Sequence, residues 1–141
     1  MVLQCAIQPE AEEDSGLISS AVRRLTDENL VESDAFASLT ITFCPLTGAT
    51  GIVPSPGRIF LDDGLRAMSA DGLAEVIAHE WVHTQQFERL GQREFKCAYV
   101  RAVTACGGCQ DRQHALEAEA YATQDRIRDQ LLGRSGITPP D

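Results

Sequence analysis

The chain has no apolar run long enough to cross a membrane as a helix, so no transmembrane segment is expected. It is also short of positive charge. Twelve Lys and Arg face 21 Asp and Glu, for a net charge of −9. A nucleic-acid partner is therefore not expected, because phosphate binding needs a basic face. Docking on an anionic membrane is not expected either. The first residues, MVLQCAIQPEAEED, lack the basic region and the long apolar region of a secretory signal. The protein is expected in the cytoplasm, or exported by a route that uses no N-terminal signal peptide. Internal repeats are missing, and so is any sign of a second domain. Cysteine is present in an odd number, five, which cannot be fully paired within one chain. A chain of 141 residues does not need disulfide staples to hold a core, so cysteine usage leaves the compartment open.

What is there points to one domain. Apolar residues make up 43% of the chain, enough for a core, over a length that suits a single unit. We expect that unit over 1–132, with a flexible tail over 133–141. Residues 10–31 read as a helix, with Leu17, Ile18, Ala21, Val22 and Leu25 at helical spacing. SLTITF (38–43) alternates and is rich in β-branched residues, a strand pattern. PLTGATG (45–51) reads as turn, and the two prolines of IVPSPG (52–57) allow at most an edge strand or a loop. RIFLD (58–62) reads as a second strand. Ser69 or Asp71 caps the next helix, which ends near Gly91. A third helix fits 92–104, with Phe95, Ala98, Tyr99, Ala102 and Val103 on one face. A fourth runs from His114 to Leu132 and stops at Gly133. The fold class expected is α+β, with four helices packed on a small antiparallel or mixed sheet.

The chain has three histidines, and two of them fall in AHEWVH (78–83). At about 100° per residue, with His79 at zero, His83 falls at about 40° and Glu80 at about 100°. Leu73, Val76, Ile77, Phe87 and Leu90 share that arc, while Glu75, Gln85, Gln86 and Arg89 are assigned to the opposite one. His79, Glu80 and His83 thus point from the apolar stripe of the helix, and Trp81 at its margin is expected to pack. Buried groups of this kind must be compensated. A bound metal does so: two histidines at i and i+4 bring their imidazoles to one Zn2+ at about 2.0–2.1 Å. The glutamate beside the first can then take a proton from water instead of binding the metal. The alternative is a satisfied polar cluster in the core, or a surface helix with an accidental match.

A catalytic zinc usually takes three protein ligands and keeps one position open. HALEAEAY (114–121) offers His114, Glu117 and Glu119. With His114 at zero, Leu116, Ala120, Ile127 and Leu131 occupy about 200–260°, Glu117 lies beside that stripe at about 300°, and Glu119 at about 140° among polar residues. Glu117 is therefore the expected ligand. Glu119 is expected as a solvated residue or a partner behind the ligands. His114 starts the helix, as a ligand, a donor to substrate or an exposed residue.

VIAHEWVHTQQFERLG followed by HALEAEAY resembles the zincin metallopeptidases in which H-E-x-x-H is completed by a glutamate on a downstream helix. It is most similar to the small minimal-zincin domains of the DUF4157 (eCIS-core) type, over residues 50–127. The resemblance implies a minimal zincin-like fold and a Zn2+ cofactor held by His79, His83 and Glu117. It also implies Glu80 as general base, a peptide or protein substrate and a bacterial origin. Glu117 matches the first glutamate of the family's E-x-x-A pattern, with Ala120 three positions on. The chain departs at Tyr121, where several related families carry Asp or Asn, and at His114, which is often Asn in the most similar domains. In such folds a strand runs along the cleft above the metal helix. GRIFLD (57–62) is the candidate, its free edge pairing with an extended peptide. Tyr99, Tyr121 and His114 are candidates for stabilising the oxyanion. The function expected is that of a zinc-dependent endopeptidase. The alternatives are a catalytically silent zincin-fold binding or scaffold module of a secreted assembly or toxin, and an acidic helical domain without metal.

Cys97, Cys106, Cys109 and His114 have the spacing C-x8-C-x2-C-x4-H. Three readings stay open: a disulfide between two of the cysteines, clamping the loop that leads into the ligand helix; reduced thiols; or a second zinc site. Cys5 and Cys44 fall in strand-like segments, where a buried free cysteine is ordinary.

Overall fold

The computed structural model describes residues 12–109 and 111–134. The elements run α1 (Glu12–Asp27), β1 (Thr40–Cys44), β2 (Gly51–Ser55), β3 (Arg58–Asp62), a short 3-10 helix (Asp63–Ala67), α2 (Ala70–Leu90), α3 (Gln92–Ala105) and α4 (Ala115–Arg134). Four helices and a small mixed sheet make the expected α+β fold. The strand-like segment around Cys5, residues 10–11 of the first expected helix and the tail from 135 onward lie outside the described residues.

The helical spacing of α1 buries Ile18, Ala21 and Leu25. The helix ends at Asp27 instead of residue 31 because Asn29 takes φ 56, a left-handed conformation that asparagine tolerates. The Leu30 and Val31 amides then turn back onto the Leu25 carbonyl at 3.0 and 3.1 Å and close the last turn.

The sheet order is β1-β3-β2, with β1 parallel and β2 antiparallel to β3. Ile59, Phe60 and Leu61 are all buried, as in a strand covered on both faces. β3 therefore has no free edge, and the strand bordering the cleft is β2, a correction to the placement of GRIFLD there. Pro54 accounts for the difference. It has no N–H to give a second neighbour, so it suits an edge, and the β2 ladder shifts register between Ile52 and Ser55.

Because β1 and β2 flank β3 on opposite sides, residues 45–50 cross over the end of β3. Asp62 pins the crossing. Its Oδ1 accepts from the Leu46 amide at 2.9 Å, its Oδ2 from the Gly64 amide at 3.0 Å, and its own N–H donates to the Thr50 carbonyl at 2.8 Å. The Leu46 bond above all, then that from Gly64, holds the Asp62 carboxyl below the usual carboxylate range.

α2 is the central helix, packed against α4, α1, α3 and the sheet. Ser69 caps it, with Oγ accepting from the Gly72 amide at 3.1 Å, and Gly91 ends it at φ 83. Leu73, Ala74, Ile77 and Ala78 meet Ile18, Leu25, Ile59, Leu61, Ile127 and Leu131 in one core. Trp81 packs on Phe36, centroids 6.2 Å apart, as expected. α3 buries only Phe95, and α4 continues through Gly133 to Arg134 instead of stopping there. No described helix is long and apolar enough to cross a membrane.

Candidate metal centre

The polar face of the site comes from two helices crossing at their buried stripes. His79, Glu80 and His83 of α2 are 9%, 5% and 6% exposed, and their ligand atoms lie within 4.8 Å of one another. This buried group can hold a metal ion. Glu117 of α4 comes closer still to the imidazoles, its Oε1 lying 2.9 Å from His79 Nε2 and 3.1 Å from His83 Nε2. Of the two carboxylates, then, Glu117 stands where both ring nitrogens converge, and Glu80 stands beside them.

The outer nitrogens of both rings are also held. His83 Nδ1 lies 2.8 Å from Gln86 Oε1, and His79 Nδ1 lies 2.9 Å from Gln124 Oε1. Gln86 cannot turn its amide around without loss, because its Nε2 donates to the Leu116 carbonyl at 3.0 Å and to Glu119 Oε2 at 3.2 Å. Its Oε1 must accept, so His83 Nδ1 carries a proton and Nε2 faces Glu117. Glu119 is in turn gripped by Arg89 at 3.3 and 3.4 Å. Glu119 thus stands behind His83, joined to it through Gln86.

Neither glutamine was placed here by sequence reasoning, and Gln86 had been assigned to the polar arc of its helix. It is fully buried. The spacing held the signal, since seven residues beyond His79 is two turns less about 20°, on the same side of the helix. Gln124 stands in the same relation to Glu117, seven residues on.

Burial pushes the Glu117 carboxyl up, but the hydrogen bonds from His79, His83 and Tyr99 outweigh it and hold Glu117 well below the usual carboxylate range. Burial pulls His83 down, and its bond to Glu117 with the charges of Glu80 and Glu117 reverses this, so its net shift is upward. Burial dominates at Glu80 and raises its carboxyl against the lowering charges of His83 and His79. The Glu80 side chain lies against β2, where a Cβ on Gly51 would stand only 2.8 Å from Glu80 Cγ. The close approach is possible because that residue is glycine.

An open cleft of about 910 Å³ lies over this group, lined by Gly48–Val53, by Phe95, Lys96, Tyr99 and Val100 of α3, and by His79, Glu80, His83, Glu117 and Tyr121. Tyr99 donates its hydroxyl to Glu117 Oε2 at 2.5 Å, which leaves Oε1 to the imidazoles. Burial, then that bond, raises the phenol. Tyr121 sits edge-on to His79, centroids 4.6 Å apart, with Arg112 over its ring at 4.5 Å.

His114 is elsewhere. It is fully buried and caps α4: Nδ1 accepts from the Leu116 and Glu117 amides at 3.2 and 3.3 Å, and Nε2 donates to the Tyr99 carbonyl at 2.9 Å. Both nitrogens are committed, and it does not line the cleft. Of the three readings of the cysteine cluster the structure contains the disulfide, Cys106–Cys109, with Cα atoms 5.7 Å apart; Cys97 is exposed and free. Gly107 and Gly108, at φ 76 and 94, turn the chain between them. Cys44 is buried and disulfide-bonded, not the free thiol expected. In comparisons with known proteins, no family model, no curated protein and no solved structure matches the chain.

Proposed function

We propose that the protein is a zinc-dependent endopeptidase in which His79, His83 and Glu117 hold the metal and Glu80 is the general base. The observation that carries this is the convergence of both Nε2 atoms on Glu117 Oε1, at 2.9 and 3.1 Å, on the floor of an open cleft. Two imidazoles and one carboxylate are the donor set of an open zinc site, and both Nδ1 atoms are fixed by glutamine oxygens, as ligand histidines require. When bound, Zn2+ supplies Lewis acidity that acidifies a water and polarises a carbonyl.

The residues of the chain do the rest. Glu80, buried and with its proton affinity raised, takes the proton of the attacking water and returns it to the leaving amine. Ladder alternation places the Gly51 N–H and C=O on the free side of β2, since Thr50 bonds Asp62 across the sheet. An extended peptide adds there as a further strand, its scissile carbonyl led past Glu80. Tyr121, lining the cleft beside His79, offers its hydroxyl to the oxyanion, because the Tyr99 hydroxyl is spent on Glu117.

The test is zinc stoichiometry together with cleavage of a broad peptide library, on the wild type and on Glu80→Gln. One zinc per chain in both proteins, with cleavage only in the wild type, supports the reading. One zinc and no cleavage by the wild type leaves a binding or scaffold module, and no zinc removes both.

A further inference from the structure

Outside the histidine–glutamate group, Lys96 is the only charged side chain lining the cleft among the described residues. It is also the only lysine in the chain, the other eleven basic residues being arginines. In a protein of net charge −9 most described arginines have found partners: Arg24 pairs with Asp71, Arg66 with Asp63, Arg89 with Glu119, Arg101 with Glu94, and Arg112 and Arg128 with Asp125. Lys96 is exposed and has no ion pair among the described residues. A lone ammonium kept unpaired at the wall of a cleft, on a surface rich in carboxylates, is a positive charge held open for something that enters.

Its place on α3 says where that something lies. Phe95 and Tyr99, four residues apart, form the row facing the metal group, with ring centroids 6.1 and 6.5 Å from that of His83. Lys96 and Val100 form the next row round the helix, about 100° further from the metal. Val100 is 64% exposed there, and Ile52 and Val53 line the β2 side. A peptide lying along β2 therefore meets apolar surface on both walls and one cation, set off from the reacting group and reaching a flanking residue.

Resting on the reading of this cleft as a peptide site, we propose that Lys96 determines specificity by recruiting a substrate carboxylate that flanks the scissile bond. The carboxylate belongs to an Asp or Glu side chain or to the peptide's C-terminus. Lys96 recognises it as a point charge on a flexible stem, which sets a preference for charge sign more than for shape.

Calorimetric titration of zinc-loaded Glu80→Gln protein tests this apart from turnover. The probes are capped hexapeptides of alternating Val and Ala, carrying one Glu, Gln or Lys moved stepwise along the chain, plus the uncharged peptide with a free C-terminal carboxylate. At one position the Glu peptide, or else the free-acid peptide, binds about fivefold tighter than its neutral counterpart, and the gain fades with added salt. Lys96→Met removes the preference and Lys96→Glu transfers it to the Lys peptide. Equal affinities, a preference that survives Lys96→Met, or no binding of any probe overturns the proposal. Cleavage without charge preference removes only the role of Lys96. Binding of carboxylates through Lys96 without cleavage by the wild type removes only the peptidase.

Discussion

Replacing Gly51 by alanine tests whether Glu80 is held where a base must stand. The added methyl would lie 2.8 Å from Glu80 Cγ and 3.1 Å from both Cδ and Oε1. Carbon atoms rest at about 3.5–4.0 Å, so Glu80 must give way by roughly 0.7 Å or more. Gly51 is not among the glycines with positive φ, so the backbone accepts alanine and the methyl is the whole perturbation. The clash falls at Cγ, near the root of the side chain, so the carboxylate swings further than the atom that is struck. Overpacking of this kind costs about 1–3 kcal/mol of stability, and misplacing a catalytic group by about 1 Å costs on the order of a hundredfold in rate. We expect Gly51→Ala to lower kcat/KM about a hundredfold while zinc affinity, measured against a competing chelator, stays within about threefold because His79, His83 and Glu117 are untouched. Full activity in Gly51→Ala would refute the placement of Glu80 against β2. A matching loss of zinc would show that the methyl disturbs the whole centre.

Three further outcomes are expected. Gln86→Leu frees His83 Nδ1 and lowers zinc affinity about 10–100-fold; chelator competition giving the wild-type constant would remove Gln86 from the centre. Asp62 has a folded pKa below its unfolded one, so its contribution is present above the ordinary carboxylate pKa and fades as pH falls through the folded value. Urea midpoints of Asp62→Ala should therefore trail the wild type near neutrality and converge with it in acid; a gap constant across pH would contradict the assignment. The double variant Cys106→Ser with Cys109→Ser loses a very short loop, with only two residues between the cysteines, so it should cost about 2 kcal/mol or less. It should keep its zinc, and a halved metal content would revive the cysteine site.

The helix of AHEWVH was legible because its signal is local. Angle along one helix places His79, Glu80 and His83 on the buried stripe, and the same rule carries Glu117 to the edge of its own. The strand beside the cleft was not legible in this way. The residues of RIFLD do not reveal how many neighbours the strand has, and only the loop crossing from β1 to β2 puts β3 in the middle. His114 shows a different limit. Its position at a helix start was clear, but whether its ring turns outward or back onto the Leu116 and Glu117 amides depends on α3 presenting the Tyr99 carbonyl to it. The Cys106–Cys109 bond likewise needed the geometry of a turn that spacing alone allows and does not require.

α3 is the least anchored wall of the cleft, since Phe95 is its only buried residue and it hangs between Gly91 and the glycine pair 107–108, all at positive φ. Two tethers on one residue hold it to the floor: the Tyr99 hydroxyl on Glu117 and the Tyr99 carbonyl on His114. Both lead to the first turn of α4, which carries Glu117. Under the proposed zinc reading, the motion of the wall and the occupancy of the centre are linked variables. Whatever immobilises Glu117 also removes freedom from α3, and the slowing of amide exchange along α3 becomes a measure, taken far from the metal atoms themselves, of how tightly the centre is filled.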